Sequence, residues 1–346
     1  MSPISSLVLP PLSALYRAVT QTRLAAYRRG LLAVTKLDAP VISVGNITTG
    51  GTGKTPLVEW VCRVLARDKR KVCILTRGYG RANPGARVVV SDGVTVQATG
   101  AEAGDEPFLL AQSLNGLAAV ISDQDRVAAG RWAIQNLGME VFVLDDGFQH
   151  LRLSRDLNIL TVDATNPWGG GTLLPHGRLR EPRREASRAD CVVITRADQT
   201  ADLVSLQEEI GGLIDSRPMF NSRMRVKCLT NMTSGLPEEI TALPQPFTAF
   251  CAIGNPQAFF DQLRRAEIRL AFTRAFQDHH RYTREDVESL LQMSDKFGAQ
   301  SMITTAKDAV KLTALNLEIP CYVLNIEISI EREHELVEMI EAAIRE

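Results

Sequence analysis

An excess of charge of one sign is the first thing this sequence lacks. Its 39 Lys and Arg nearly cancel 40 Asp and Glu, for a net charge of −1, which argues against binding nucleic acid through bulk positive charge. Paired cysteines are also missing. Cys62, Cys73, Cys191, Cys228, Cys251 and Cys321 are scattered with no C-x-x-C spacing, which suits free, buried thiols in a reducing compartment rather than a disulfide frame or a zinc site. There is no internal repeat and no low-complexity tract. No apolar run is long enough to cross a bilayer, since the stretch from Leu7 to Val19 is short and broken by Pro10 and Pro11. That stretch has no charged region ahead of it, so it makes a poor signal peptide. What remains is a globular chain of 346 residues, 45% hydrophobic, for which two domains are expected.

Acids are absent before Asp38, whereas Arg17, Arg23, Arg28, Arg29 and Lys36 follow an apolar face of Leu7, Val8, Leu9, Leu12, Leu15, Tyr16 and Val19. Two readings fit: a basic amphipathic helix on an anionic membrane surface, or a helix packed on the protein's own core with its arginines in solvent.

The stretch that organises the chain is residues 41–55. A β-branched run (Val41, Ile42, Val44) leads into a glycine loop ending in Gly53-Lys54-Thr55, and Leu57, Trp60, Val61, Val64 and Leu65 then recur at helical spacing. Strand, glycine loop, Lys-Thr and helix is the layout of a phosphate-binding loop, in which backbone N–H groups and a helix N-terminus face a polyphosphate. Gly50, Gly51 and Gly53 let the main chain approach the phosphates, Lys54 can reach the β- and γ-phosphates, and Thr55 can offer its hydroxyl to Mg²⁺. The strict pattern wants glycine where Thr48 stands.

Further along, a strand from Lys71 to Thr76 runs into Arg77-Gly78-Tyr79-Gly80, which reads as an active-site mouth or an ordinary glycine turn. Residues 88–96 read as a hairpin turning at Ser91-Asp92-Gly93. Gly104-Asp105-Glu106-Pro107 opens a helix, where the acids also serve as N-terminal capping charges. Val141 to Leu144 is an apolar strand ending in Asp145 and Asp146, the form of the Mg²⁺-side acid in phosphate-loop enzymes. Gln149 and His150 follow, and Arg178, Arg180, Arg183 and Arg184 form a basic run able to hold an anionic group or simply to face water. Residues 215–225 read as a linker or an extended crossing, and a second α/β region carrying Asp278-His279-His280 and Lys307-Asp308-Ala309-Val310-Lys311 follows.

Taken in order, Val44-Gly45-Asn46-Ile47-Thr48 with Gly50-Gly51-Thr52-Gly53-Lys54-Thr55, Arg77-Gly78-Tyr79-Gly80, Gly104-Asp105-Glu106-Pro107, Asp145-Asp146-Gly147-Phe148-Gln149-His150, Leu174-Pro175 with Arg180-Glu181, Asp278-His279 and Lys307-Asp308-Ala309-Val310-Lys311 make the chain resemble the tetraacyldisaccharide 4′-kinase family over nearly its whole length. Even Thr48 is what that family's loop looks like, although His280 matches less well than His279.

The resemblance implies an α/β fold: a P-loop NTPase-like three-layer α/β/α core with a second, smaller α/β lobe joined by a hinge. It implies a membrane-associated helix at 1–37, a kinase domain at 38–220 and a second lobe at 221–346. It implies a kinase on the cytoplasmic face of the inner membrane of Gram-negative bacteria. That kinase moves the γ-phosphate of ATP, with Mg²⁺, to the 4′-hydroxyl of a tetraacylated glucosamine disaccharide 1-phosphate to give lipid IVA. The nucleotide would lie on Asn46, Thr48, Thr49, Gly50, Gly51, Thr52, Gly53, Lys54 and Thr55, and the metal on Thr55, Asp145 and Asp146. Asp105 would accept the hydroxyl proton with His279 as its partner, and Lys54 would neutralise the transferring group. Arg77, Tyr79, Gln149, His150, Arg178 and Arg180 would meet the lipid acceptor.

Two rival readings share the glycine loop. A partitioning or switch ATPase usually carries Lys where Thr49 stands, and a GTPase would read guanine with Thr-Lys-x-Asp where this chain has Thr195-Arg196-Ala197-Asp198. A membrane scaffold without enzymatic activity would leave the loop and both acid motifs unexplained.

Overall fold

The computed structural model describes residues 3–278, 280–312, 315 and 317–345, with side chains from residue 9 onward. The chain divides into two compact units, residues 1–223 with 329–346, and residues 224–328.

In the first unit, parallel strands β1 (Val41–Gly45), β2 (Val72–Thr76), β4 (Ala118–Ser122), β5 (Val141–Asp145), β6 (Leu157–Asp163), β7 (Cys191–Thr195) and the start of β8 (Met219–Asn231) form a sheet edged by antiparallel β3 (Val88–Asp92). The order is β8-β7-β6-β1-β5-β2-β4-β3. Strands β1, β2, β4, β5, β6 and β7 are buried at every position, as continuous apolar runs covered on both faces should be. Alternate residues divide between the faces. Cys73, Leu75, Ile121, Phe142 and Leu144 pack on Val127 and Ala133 of α5 (Arg126–Leu137). In the same-facing positions of β6 and β7, Leu160, Val162, Val192 and Ile194 pack on Leu206 and Ile210 of α6 (Leu203–Leu213). The opposite face lies under α2 (Lys54–Ala66), α4 (Asp105–Ser113) and α10 (Glu333–Arg345), with the four-residue α3 (Gly100–Ala103) leading into α4. The layers are thus helix, sheet, helix.

Helix α1 (Pro3–Arg28) continues through Pro10 and Pro11. Among the described residues, no helix is long and apolar enough to cross a membrane. One face of α1 is tied to the first unit: the Ser13 hydroxyl donates to the Leu173 carbonyl (3.0 Å), the Tyr16 hydroxyl to the Arg180 carbonyl (3.0 Å), and Arg28 pairs with buried Glu185 (2.6 Å). An adjoining face leaves Leu12, Leu15 and Val19 exposed at 44%, 63% and 60%. Their spacing of three and four residues makes one stripe.

The second unit has strands in the order β11 (Leu270–Ala275), β10 (Phe247–Cys251), β12 (Ser301–Thr305), β13 (Cys321–Ile330) and β8, with β9 (Pro237–Glu238) antiparallel to β8. Helices α7 (Pro256–Arg265), α8 (Arg284–Phe297) and α9 (Ala306–Leu312) complete it. Among the described residues two cores hold it, one around Phe247, Phe259, Phe260 and Tyr322, the other around Phe250, Tyr282 and Leu290.

Of the two readings of 215–225, linker or extended crossing, the structure has the second, since the stretch enters β8 at Met219, where Phe220, Ser222 and Met224 alternate inward and supply the period of a strand. The chain end, expected in the second lobe, returns to the first unit: Leu336, Ile340 and Ile344 of α10 are buried, and α10 packs on α2, β1 and β6.

Candidate active site

The site grows from the carboxyl ends of β1 and β5, neighbours in the sheet. After β1 the chain cannot carry a side chain at Gly45, where a Cβ would stand 2.6 Å from the Phe148 nitrogen. That contact holds the start of the glycine loop against the turn after β5. The loop closes around buried Asn46. Its Nδ2 donates to the Thr52 hydroxyl (3.0 Å) and, at 3.4 Å, to that of Thr48; its Oδ1 accepts from Lys54 Nζ (3.0 Å); its carbonyl accepts from Gln149 (2.8 Å). Gly50 and Gly53 take positive φ (119° and 75°). Helix α2 begins at Lys54 without a side-chain cap, so its first N–H groups form an anion-binding end. Thr55 is the second residue of that helix.

Asp145 ends β5 and is 6% exposed. It accepts from the Thr76 hydroxyl (3.1 Å), and its backbone carbonyl accepts from buried Arg126 (3.0 Å). Asp146 takes a left-handed backbone (φ 51°) that turns its carboxylate between Lys54 (3.2 Å) and Arg180 (2.6 Å). The two acids titrate in opposite directions. Burial, followed by the neighbouring Asp146 and then Glu106, pushes Asp145 up to about 6. Burial works against ionisation of Asp146 too, but Lys54 and Arg180 outweigh it and hold that carboxyl far below the usual range. Arg180 is correspondingly raised: burial opposes its charge, and Asp146 more than restores it.

This donor set fits a divalent cation that also takes oxygens from a phosphate. Asp145 carries charge that its protein neighbours leave under-compensated, and Mg²⁺ typically binds one or two carboxylates plus phosphate oxygens and water. Among the described residues no group of three or more His, Cys, Asp or Glu could hold a metal unaided.

Asp105 opens α4. Gly104 (φ 92°) lies so close to the Tyr79 carbonyl that a Cβ would come within 2.5 Å, and one on Gly78 would strike Ser122 and the Ala103 carbonyl. The glycines of the two motifs therefore lock the Arg77–Gly80 turn to the start of α4. Helix α4 packs beside α2, the helix that the phosphate loop opens.

A cavity of ≈ 660 Å³ lies beside these groups, with Arg77, Tyr79, Asp146, Gln149, His150, Arg180 and Thr49 on its wall. Arg77 donates to the Tyr79 hydroxyl (3.0 Å) and lies over its ring. Burial, then the positive charge of Arg126, Arg155 and Arg23, lowers His150 to about 4, so its ring is neutral at physiological pH. Tyr16, Thr20 and Arg23 of α1 line the same cavity, as do Arg126 and Glu181. Sequence reasoning left these out of the site; the signal for Arg126 was a charge just after an apolar strand.

Arg178 reaches the loop through its main chain. Its backbone carbonyl accepts from the Thr49 N–H (2.7 Å) and hydroxyl (3.3 Å), while the Arg180 N–H donates to the Ile47 carbonyl (2.8 Å). The basic run is therefore a strut for the loop before it is a charged surface. Arg183 is occupied with Glu209 (2.7 Å) and Arg184 with Glu185 (3.4 Å). In the second unit Asp278 pairs with Lys307 (3.5 Å) and His280 with Asp286 (2.8 Å). His279 lies outside the described residues.

A glycine loop at a helix N-terminus, next to paired acids on the adjoining strand, defines an α/β phosphate-loop enzyme, here with a cavity of ≈ 660 Å³ beside the loop. Residues 5–345 match the family described as Tetraacyldisaccharide-1-P 4′-kinase, and the chain belongs to that family of kinases. It is 42% identical to the tetraacyldisaccharide 4′-kinase of Geobacter sulfurreducens, over 91% of this chain and 87% of that one. With the Geobacter metallireducens protein of the same name it shares 44% identity over 88% of each. Among solved structures it is similar to the apo form of LpxK from Aquifex aeolicus in complex with ATP, at TM-score 0.78 and 34% identity, covering 98% of this chain and 99% of that one.

Proposed function

We propose that the chain transfers the γ-phosphate of ATP to the 4′-hydroxyl of a tetraacylated glucosamine disaccharide 1-phosphate, yielding lipid IVA for lipid A assembly. The observation that carries this reading is the convergence of Lys54, Asp145, Asp146 and Arg180 between the glycine loop and the cavity. The relatives named above, one of them solved with ATP, support the choice of donor and acceptor.

In this reading the loop from Asn46 to Thr55 holds the triphosphate. Lys54 and Arg180, both on Asp146, supply the positive charge that a loose phosphoryl transition state needs on its equatorial oxygens. Thr55, Asp145 and Asp146 would hold Mg²⁺, which neutralises phosphate charge when bound. Asp105, at the start of α4, takes the sugar hydroxyl's proton. Positioning matters more than base strength for such a proton, because the nucleophile is only weakly bonded when the phosphoryl group moves. Arg77, Tyr79, Gln149 and His150 face the disaccharide.

The acceptor's acyl chains stay in lipid, and the exposed stripe of Leu12, Leu15 and Val19 on α1 is the surface proposed to lie in the cytoplasmic face of the inner membrane. The adjoining face of the same helix, with Tyr16, Thr20 and Arg23, lines the cavity, so a bilayer-borne substrate would enter beside the acids.

Purified protein with Mg-ATP and the acylated disaccharide 1-phosphate in detergent should add one phosphate to the distal sugar, read by fragment mass spectrometry, and Lys54→Ala should abolish the product. ATP hydrolysis without lipid phosphorylation would overturn the reading in favour of a switch ATPase.

A further inference from the structure

The motif Thr195-Arg196-Ala197-Asp198 is not used by the reaction described above, yet it touches the phosphate loop. Thr195 ends β7 and is fully buried, and its hydroxyl donates to the Thr52 carbonyl (2.9 Å). Arg196 follows in a left-handed backbone (φ 54°), a conformation that a non-glycine residue keeps only where its surroundings impose it. Its guanidinium, 13% exposed, pairs through Nη1 with the Asp163 carboxylate at the end of β6 and donates through Nη2 to the Gly51 carbonyl (3.0 Å). Asp163 is itself 6% exposed and anchors its own turn by accepting from the Thr165 N–H and hydroxyl.

We infer that Arg196, held by Asp163, is a positioning residue for the phosphate loop. With Thr195, it fixes the loop's carbonyls on the β7 side so that the loop's N–H groups are set for the outer phosphates of a nucleoside polyphosphate before the nucleotide arrives. The inference rests on the nucleotide-binding reading above. A trans peptide points its N–H opposite to its C=O, so tying the Thr52 carbonyl to Thr195 aims the Gly53 N–H the other way, and tying the Gly51 carbonyl to Arg196 fixes the preceding peptide, whose Thr52 N–H turns back to the Gly50 carbonyl (3.1 Å) and closes the tight turn ahead of Gly53. The segment Gly50-Gly51-Thr52-Gly53 would otherwise be among the freest in the chain, because glycine loses more conformational entropy than any other residue on being ordered. Side-chain struts from two strands order it in advance. The planar guanidinium can serve the carboxylate and the carbonyl together, whereas a lysine ammonium on a flexible stem cannot match that fork.

The test measures affinity of the full-length chain for Mg-ADP and for AMP, together with KM for ATP and for the lipid acceptor. Arg196→Ala should weaken ADP about tenfold, as expected on losing a charge-assisted hydrogen bond, and leave AMP within about twofold. KM for ATP should rise, and KM for the lipid should hold. Arg196→Lys should fall between wild type and Ala. Unchanged ADP affinity would overturn the inference. So would equal losses for ADP and AMP, which would put Arg196 on the nucleoside. If Arg196→Ala does not fold, Thr195→Val, which keeps the shape and removes the hydroxyl, should give the same selective loss of ADP, and its absence would overturn the inference equally. Wild-type protein that binds ADP but phosphorylates no lipid would refute the acceptor and leave the strut standing; wild-type protein that binds no ADP would refute both.

Discussion

Replacing Asp145 by Asn should make the ligand-free protein more stable while removing its activity. Asp145 is 6% exposed, and its carboxyl is raised from an ordinary 3.8 to about 6 by burial first and by Asp146 second. The sign follows directly. An acid whose folded value lies above its unfolded one is penalised for ionising in the folded state. The penalty is absent below pH 3.8, grows as pH rises, and is complete above about pH 6. At about 1.36 kcal/mol per pH unit it reaches about 3 kcal/mol, and relaxation of surrounding dipoles reduces it to about 1–3 kcal/mol. Asn keeps an acceptor for the Thr76 hydroxyl now bonded at 3.1 Å, so little is lost with the charge. The assay is urea unfolding in EDTA without nucleotide, followed by tryptophan fluorescence. Trp60, Trp132 and Trp168 all lie in the first unit, so the signal reports the right part of the molecule. At pH 8 the Asn variant should gain about 1–3 kcal/mol, roughly 2–4 °C in Tm for each kcal/mol in a unit of this size. Near pH 4 the gap should close. A variant less stable than wild type at pH 8, or a gap independent of pH, would refute the account of Asp145 as an under-compensated carboxylate.

Two further outcomes are expected. Asp105→Asn should lower kcat by about 10²–10³-fold with ATP affinity within about twofold, since a general base contributes at about that level; a defect confined to ATP affinity would make Asp105 a nucleotide or metal residue. Replacing Leu12, Leu15 and Val19 together by Ser should release the protein from anionic vesicles in a flotation assay and shift stability by no more than about 0.5 kcal/mol per site, because these side chains are exposed. Unchanged flotation would assign lipid binding to another surface.

Much of the candidate site was legible because its parts are local. A phosphate loop consists of consecutive residues between a strand and a helix, so Gly50-Gly51-Thr52-Gly53-Lys54-Thr55 declares itself in one dimension, as do Asp145 and Asp146 at the end of a strand of apolar residues. The three-layer fold was legible for a related reason: buried parallel strands are short and uniformly apolar, and the helices between them carry a different period. Residues 215–225 read equally as a linker or an extended crossing, because a strand whose exposed positions hold Arg223 and Arg225 has the composition of either.

The sequence by itself determined the phosphate loop, the acid pair, the apolar strands and the amphipathic first helix, since each is encoded by neighbouring residues and their periodicity. Only the tertiary structure decided how they act together. It split the two neighbouring acids, setting Asp146 between Lys54 and Arg180 and leaving Asp145 raised. It turned α1 into a wall of the cavity as well as an exposed apolar surface. It spent Arg178 through its carbonyl and Arg196 through its guanidinium on holding the loop. The physical reason is the parallel sheet: it brings the carboxyl ends of strands far apart in the chain to one edge, and which charges then meet depends on strand order and backbone turns that no local pattern encodes.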